Sequence, residues 1–208
     1  MPVEIERTIL SADYSSNCYL VRAEPGGPIV AVIDPGGDVT GLLERDDLAV
    51  EAILVTHSDI DHVAGVAALA AATSAPVWAP ADEADFLRAG RTRTGHPFPS
   101  HEPEHLVRDG DTVTVAGIAF DVVGIPGHSA DHVAFCIDGN LFSGDLLFAG
   151  SVGRTDLPGG DWPSLVASVE RLHARYGADG TVYPGHGEPT TLGHEVETNP
   201  FLGEMRVG

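Results

Sequence analysis

The sequence predicts an α/β fold, a four-layer α/β/β/α sandwich in which two packed β-sheets carry helices on their outer faces. Three observations lead there. Strand-like runs come in two batches, residues 3–79 and 111–183, each interspersed with helical stretches, and no linker or low-complexity segment divides them. With 208 residues, 43% of them hydrophobic, the chain can bury one large core. Four apolar runs also end alike, each in a turn that carries histidine or aspartate, as expected of strands whose ends meet at one point.

Val3 to Leu10 and Cys18 to Ala23 read as strands around the turn-like Asp13-Tyr14-Ser15-Ser16-Asn17. Pro25-Gly26-Gly27-Pro28 is a turn, and Ile29 to Ile33 a fully apolar strand ending at Asp34-Pro35-Gly36-Gly37. Asp38 is placed to cap a short helix running to about Asp47, and Ala52 to Val55 is a further strand. Val63 to Ala72, mostly alanine, valine and leucine, predicts one helix with small side chains that pack closely on a sheet. Pro76 to Ala79 is a short strand, and Ala81 to Arg88 a short helix with Asp82 and Glu83 near its positive end. Gly90 to His105 is a proline-rich loop, a candidate lid, whose His96, His101 and His105 have no strand to fix them and read as solvated. Asp111 to Ile125 forms a hairpin turning at Ala116-Gly117; His132 to Asp138, Asn140 to Phe142 and Thr181 to Tyr183 supply more strands. Asp161 caps a helix from Trp162 to Tyr176 that sets Leu165, Val166, Val169 and Leu172 on one face. The tail from Thr190 reads as a helical turn and a strap.

Composition narrows the partners. There are 31 acidic residues against 11 basic ones, every base is arginine, and the net charge of −20 repels phosphate backbones and anionic membranes. No nucleic-acid or membrane partner is expected, and most of the acidity reads as a solvated face. Cys18 and Cys136 sit in apolar strand contexts with no CxxC pair, which fits a reducing compartment. The N-terminus has neither a basic start nor an apolar core segment, and no apolar run approaches membrane-spanning length. A cytoplasmic location is therefore expected.

The stretch Thr56-His57-Ser58-Asp59-Ile60-Asp61-His62 holds two imidazoles and two carboxylates directly after an apolar strand. Imidazole nitrogen with carboxylate oxygen suits zinc, iron or manganese better than calcium or magnesium. Val122 to His128 (ending Pro126-Gly127-His128), Leu141 to Asp145 and Val182 to His186 repeat the arrangement with one donor each. Any of these histidines alone would read as a core or surface imidazole; the set does not.

In this order and spacing, His57-Ser58-Asp59-Ile60-Asp61-His62, Pro126-Gly127-His128, Ser143-Gly144-Asp145 and Pro184-Gly185-His186 resemble the metallo-β-lactamase fold superfamily. The segments Leu147 to Gly160 and Gly185 to Glu195 are similar to the short bacterial glyoxalase II-like branch. The resemblance implies the metallo-β-lactamase fold and two divalent transition-metal ions, zinc foremost. By position it puts His57 and His128 on one ion, Asp61, His62 and His186 on the other, and Asp145 between them as a bridge. Two cations sharing a carboxylate lower the pKa of a bridging water, whose hydroxide attacks a carbonyl. The implied activity is hydrolysis of a small-acyl thioester such as S-lactoylglutathione, with Asp61 and Asp145 catalytic and a small thiol-derived molecule as substrate. Arg154 is a candidate anchor for a substrate carboxylate; a salt bridge with Asp156 is the other reading. His132 and His194 match recurring family positions and read as structural. The larger glyoxalase II enzymes carry a C-terminal helical domain, so residues 1–208 are expected to form one domain without it.

The same branch also resembles persulfide dioxygenases, which implies an alternative: one iron held by His57, His128 and Asp145. A metal-poor binding or regulatory protein on this fold is a third reading. The chain departs from the superfamily's HxHxDH at one place, where Asp59 replaces the second histidine. Three roles are open to Asp59. It is a ligand, giving a two-histidine, one-carboxylate site that suits iron or manganese as well as zinc; or it sits behind the ligands; or it disables the dinuclear centre. Two divalent ions with Asp59, Asp61, Asp145 and a hydroxide sum to zero, against about +1 with histidine at 59, which predicts a higher pH optimum and an altered metal preference.

Overall fold

Two six-stranded sheets face each other, and the sequence alternation within each strand decides what goes between them. The computed structural model describes residues 2–11 and 13–207, with side chains to residue 203. The first sheet runs β1 (Glu4–Ile9), β2 (Asn17–Arg22), β3 (Ile29–Ile33), β4 (Leu48–Leu54), β5 (Val77–Pro80) and β6 (His105–Val107), in that spatial order. Its first three strands pair antiparallel and the rest parallel. Parallel neighbours need crossovers. These carry α1 (Thr40–Leu43), α2 (Ile60–Val63), α3 (Val66–Thr73) and α4 (Ala84–Ala89).

The second half begins with β7 (Thr112–Val115), β8 (Ile118–Gly124), β9 (Val133–Ile137) and β10 (Asn140–Gly144). A small hairpin of β11 (Leu147–Phe148) and β12 (Ser151–Val152) follows, then α5 (Trp162–Tyr176), β13 (Thr181–Pro184), β14 (Thr190–Thr191) and α6 (Leu192–Thr198). The sheet order is β14-β13-β10-β9-β8-β7, with only β10 and β13 parallel, across the α5 crossover.

In β2, Tyr19 and Val21 turn inward and meet Phe120, Phe135 and Phe142 of the second sheet, while Leu20 turns outward beneath the helices. Val123, Cys136 and Leu141 leave the second sheet on its far side and pack under Leu165, Val169 and Leu172 of α5. Each fully buried side chain of this size contributes about 1.5–3 kcal/mol, so the period-two pattern pins the register of every strand. The result is the expected α/β/β/α sandwich. Cys18 and Cys136 are free and buried in the two different outer layers. Among the described residues no helix is long and apolar enough to cross a membrane.

Three local expectations change. The helix expected from Asp38 to Asp47 is only α1; Asp38 does accept from the Thr40 amide at 2.9 Å, but Arg45 and Asp47 leave the helix to pair with each other, at 2.9 Å, and with Glu6 and Arg22. The single helix expected over Val63 to Ala72 is broken after Val63. Gly65 there lies against the strap after β3: its amide donates to the Pro35 carbonyl at 2.8 Å, and a Cβ would stand 2.4 Å from the Gly37 carbonyl. Finally, His105 is not loop but the start of edge strand β6, its ring stacked on Trp78 at 3.9 Å.

Candidate metal centre

Four strands deliver the donors. The chain leaves β4 at Leu54 and reaches His57 three residues later; β8 leads to His128, β10 to Asp145 and β13 to His186. Short backbone bonds lock these exits together: Val133 donates to the Thr56 carbonyl at 3.1 Å, Gly185 to Gly144 at 2.8 Å, and Asn17 to Gly185 at 2.7 Å. The Asn17 amide group adds bonds to the carbonyls of Pro184 (2.9 Å) and Gly187 (2.8 Å), and the Tyr19 hydroxyl one to Pro184 (2.6 Å). The loop bearing His186 is thus clipped to the first sheet.

The seven donors foreseen from sequence are brought to one place, in two groups. In one, donor atoms of His57, Asp59 and His128 lie within 4.8 Å of one another; in the other, those of Asp61, His62 and His186 do. Asp145 stands between. Its Oδ1 is 3.2 Å from His62 Nε2, and its Oδ2 is 3.5 Å from His186 Nε2 and 3.8 Å from His128 Nε2. Asp61 Oδ2 lies 3.1 Å from His186 Nε2.

Each buried ring of the two donor groups is oriented by an acceptor behind it. His128 Nδ1 donates to the Arg154 carbonyl at 2.8 Å. His62 Nδ1 donates to Asp34 Oδ2 at 2.9 Å. The Thr56 hydroxyl donates to that same oxygen at 2.6 Å, which leaves Thr56 Oγ1 to accept from His57 Nδ1 at 3.0 Å. One carboxylate oxygen thereby sets two imidazoles, one in each group, and turns their Nε2 atoms inward. From the sequence Asp34 is only a strand end. Its position, the first residue after an apolar strand, is the same signal that marked the other donors.

Three of the inward atoms, His57 Nε2, His62 Nε2 and Asp145 Oδ1, are buried and have no hydrogen-bond partner. Leaving one such group unsatisfied costs about 1–3 kcal/mol. Three that converge from two loops fit a bound cation, and imidazole with carboxylate is the donor set of a transition metal. Electrostatics agree. Burial pushes the His57 imidazole well below its ordinary value, helped by the neighbouring rings of His62, His132 and His128. Burial acts the same way on His62, but the carboxylates of Asp145 and Asp61 outweigh it and raise that ring. Hydrogen bonds to Asp145 and Asp61 push His186 up to about 9 in the metal-free protein.

Two further residues escaped the sequence reading. Glu83, buried beside α4, accepts from the Ser58 amide and hydroxyl, both at 2.6 Å, and from the Ser129 hydroxyl, tying the loops of His57 and His128 together. Burial raises its carboxyl, with the serine bonds opposing. The second is Arg93, whose guanidinium grips Asp59 with two parallel bonds, Nε to Oδ1 at 3.0 Å and Nη2 to Oδ2 at 2.7 Å. Including Arg93 in the charge count for two divalent ions returns it to about +1, the value a histidine at 59 would give, so the expected rise in pH optimum loses its premise.

Arg154 lines the mouth of the cleft with Thr94, His96 and Leu157, but its own fork is held by Asp156 at 2.8 and 2.7 Å. Of the loop histidines only His96 reaches this cleft; His101 faces Glu104 at 3.3 Å and His105 stacks on Trp78. His132 is fully buried behind His57, ring centroids 4.7 Å apart, outside both donor groups.

The family model described as the metallo-beta-lactamase superfamily matches residues 12–186. Hydroxyacylglutathione hydrolase GloC of Haemophilus influenzae is 30% identical over 91% of this chain and 93% of its own. Among solved structures, the BLEG-1 B3 metallo-beta-lactamase is similar with a TM-score of 0.86 and 33% identity, covering 96% of this chain and 100% of that one. TTHA1623 in a di-iron-bound form gives 0.80 and 38%, covering 95% and 100%. ETHE1 from Myxococcus xanthus gives 0.76 and 25%, covering 98% and 90%. With the sandwich, the ordered motifs and these likenesses in agreement, the chain belongs to the metallo-β-lactamase superfamily, a superfamily of metal-binding hydrolases.

Proposed function

We propose that this protein is a metal-dependent thioesterase of the glyoxalase II type, acting on a small-acyl thioester such as S-lactoylglutathione. The observation that carries the reading is the pair of donor groups, each with two imidazoles and a carboxylate, sharing Asp145 between them. In this reading His57, Asp59 and His128 hold one ion and Asp61, His62 and His186 the other. Such a pair supplies Lewis acidity and makes water a nucleophile near neutral pH. The chain supplies the rest. Asp61, at the floor of the cleft and within reach of His186, is the carboxylate able to take up a proton as the acyl carbon is attacked. Arg154, exposed at the cleft mouth, can exchange Asp156 for a substrate carboxylate. A thiolate leaves without a strong acid, so the cleft needs no dedicated proton donor for that step. Similarity to a hydroxyacylglutathione hydrolase supports the substrate class.

The test is thioester hydrolysis by protein reconstituted with zinc, iron or manganese, with metal counted in the same samples. Turnover of S-lactoylglutathione that tracks two bound ions is expected; a fully loaded protein that leaves it intact refutes the substrate. A second reading, a mononuclear-iron persulfide dioxygenase, is favoured by one likeness, that to ETHE1, and His57, His128 and Asp145 would hold its iron. Oxygen consumption with glutathione persulfide, by protein holding a single iron, would replace the first reading with the second.

A further inference from the structure

Among the described residues Arg93 is the one arginine within bonding distance of the donor atoms, and it is buried: its side chain is 4% exposed. Its position is made, not incidental. It lies in the loop after α4, in a turn bonded to itself, the Thr92 amide to the His96 carbonyl at 3.0 Å and the Gly95 amide to Thr92 at 2.8 Å. The Thr92 hydroxyl oxygen also accepts from the amides of His96 (3.1 Å) and Thr94 (3.3 Å). From this turn the guanidinium reaches the site with its full donor set. Nε and Nη2 take the two oxygens of Asp59, Nη1 takes the carbonyls of His128 and Pro158, and Nη2 lies 3.0 Å from His128 Nε2. Asp59 Oδ2, so held, stands 3.1 Å from His128 Nε2 and 3.9 Å from His57 Nε2. The guanidinium thus touches two of the three donor atoms of the first group, and His57 Nε2 is the one left without a partner.

We propose that Asp59 and Arg93 are one unit: Arg93 is a positioning residue and built-in counter-charge that lets a carboxylate replace histidine at the first metal site. A carboxylate at 59 without the guanidinium adds a buried negative charge, and a guanidinium without the carboxylate leaves a buried positive charge beside a cation. Together they present an acceptor atom to the site with no net charge, as a neutral imidazole would. The proposal rests on the reading that His57, Asp59 and His128 hold an ion. Its stability arm does not.

The experiment compares wild type, Asp59→His, Arg93→Met and the double variant, as full chains. Thermal midpoints of the metal-free proteins and zinc equivalents retained after dialysis against zinc are both measured. Removing one partner of a buried ion pair is expected to lower the metal-free midpoint by about 5–15 °C for each single variant, with the double recovering most of it. Asp59→His alone, although it restores the superfamily's HxHxDH, is expected to retain one zinc fewer than wild type, and Arg93→Met on top of it to bring that zinc back. Asp59→His holding the wild-type zinc and midpoint would overturn the proposal, as would a double variant no better than the singles. If Arg93→Met alone gains a zinc, the guanidinium occupies the ion's place and the proposal is again overturned. Coupled midpoints in a wild type that binds fewer than two ions would instead retain the pair and refute the dinuclear reading.

Discussion

The hydrogen-bond relay behind the site makes a quantitative claim about Asp34. Its Oδ2 accepts from His62 Nδ1 at 2.9 Å and from the Thr56 hydroxyl at 2.6 Å, and that hydroxyl in turn accepts from His57 Nδ1 at 3.0 Å. Asparagine is nearly isosteric and tolerates the left-handed backbone at this position, φ 52°. It keeps the bond from the Thr56 amide to Oδ1, but puts two N–H donors where Oδ2 stood. Both Thr56 and His62 must then become acceptors, and the Thr56 hydroxyl, left without an acceptor for its own proton, either turns that proton toward His57, driving the ring's proton to Nε2, or holds the ring less firmly. In His62 the inward nitrogen is then no longer a free lone pair, and in His57 the ring loses either that lone pair or the bond that orients it. Loss of such an outer partner weakens metal binding by about 10–100-fold, or about 1.4–2.8 kcal/mol. Asp34→Asn is therefore expected to weaken both ions by about that factor. Thr56→Val cuts only the branch to His57, so it should weaken one ion and leave the other within about threefold. Stepwise zinc titration against a chromophoric chelator resolves the two. Equal effects of the two variants on both ions, or no effect of Asp34→Asn, would refute the relay.

Other expectations follow from single contacts. A Cβ on Gly185 would stand 2.0 Å from Asp145 Oδ1 and 2.7 Å from His62 Cε1, so Gly185→Ala should lose one metal equivalent and at least about 100-fold in any metal-dependent turnover while circular dichroism stays native. Glu83→Ala strands three buried donors at about 1–3 kcal/mol each, and its thermal midpoint should fall by about 8 °C or more. In the metal-free protein the ring of His186 is raised above its ordinary value of 6.5 to about 9, so the stability its ion pairs confer is complete below the ordinary value and disappears as pH rises through 9. The metal-free midpoint should accordingly fall between pH 7 and 10, and His186→Asn should flatten that slope.

The sandwich and seven donors were legible because their signals are local. An apolar strand ending in a donor-bearing turn needs only neighbouring residues to be recognised, and alternation such as Tyr19, Leu20, Val21 assigns faces without knowledge of the partner sheet. What stayed hidden depends on distant residues. Arg93 lies 34 residues from Asp59 in a loop with no periodicity, where nothing local ties a basic residue to a distant carboxylate. The break after Val63 is caused by the strap at Pro35 and Gly37, which no helical pattern reveals. Glu83 looked like a charge at a helix start; that it is buried under two ligand loops is a fact of packing.

The clip that Asn17 and Tyr19 place on the Pro184–Gly187 loop bears on how the protein can be altered. His186, the last of the seven candidate donors in the chain, is moored by its second strand, so neither half can assemble the pocket alone. Anyone transplanting that loop between relatives will have to carry the asparagine and tyrosine along with it. Trimming the amino end past residue 16 should cost the grafted histidine its place even where the remaining sheet still folds.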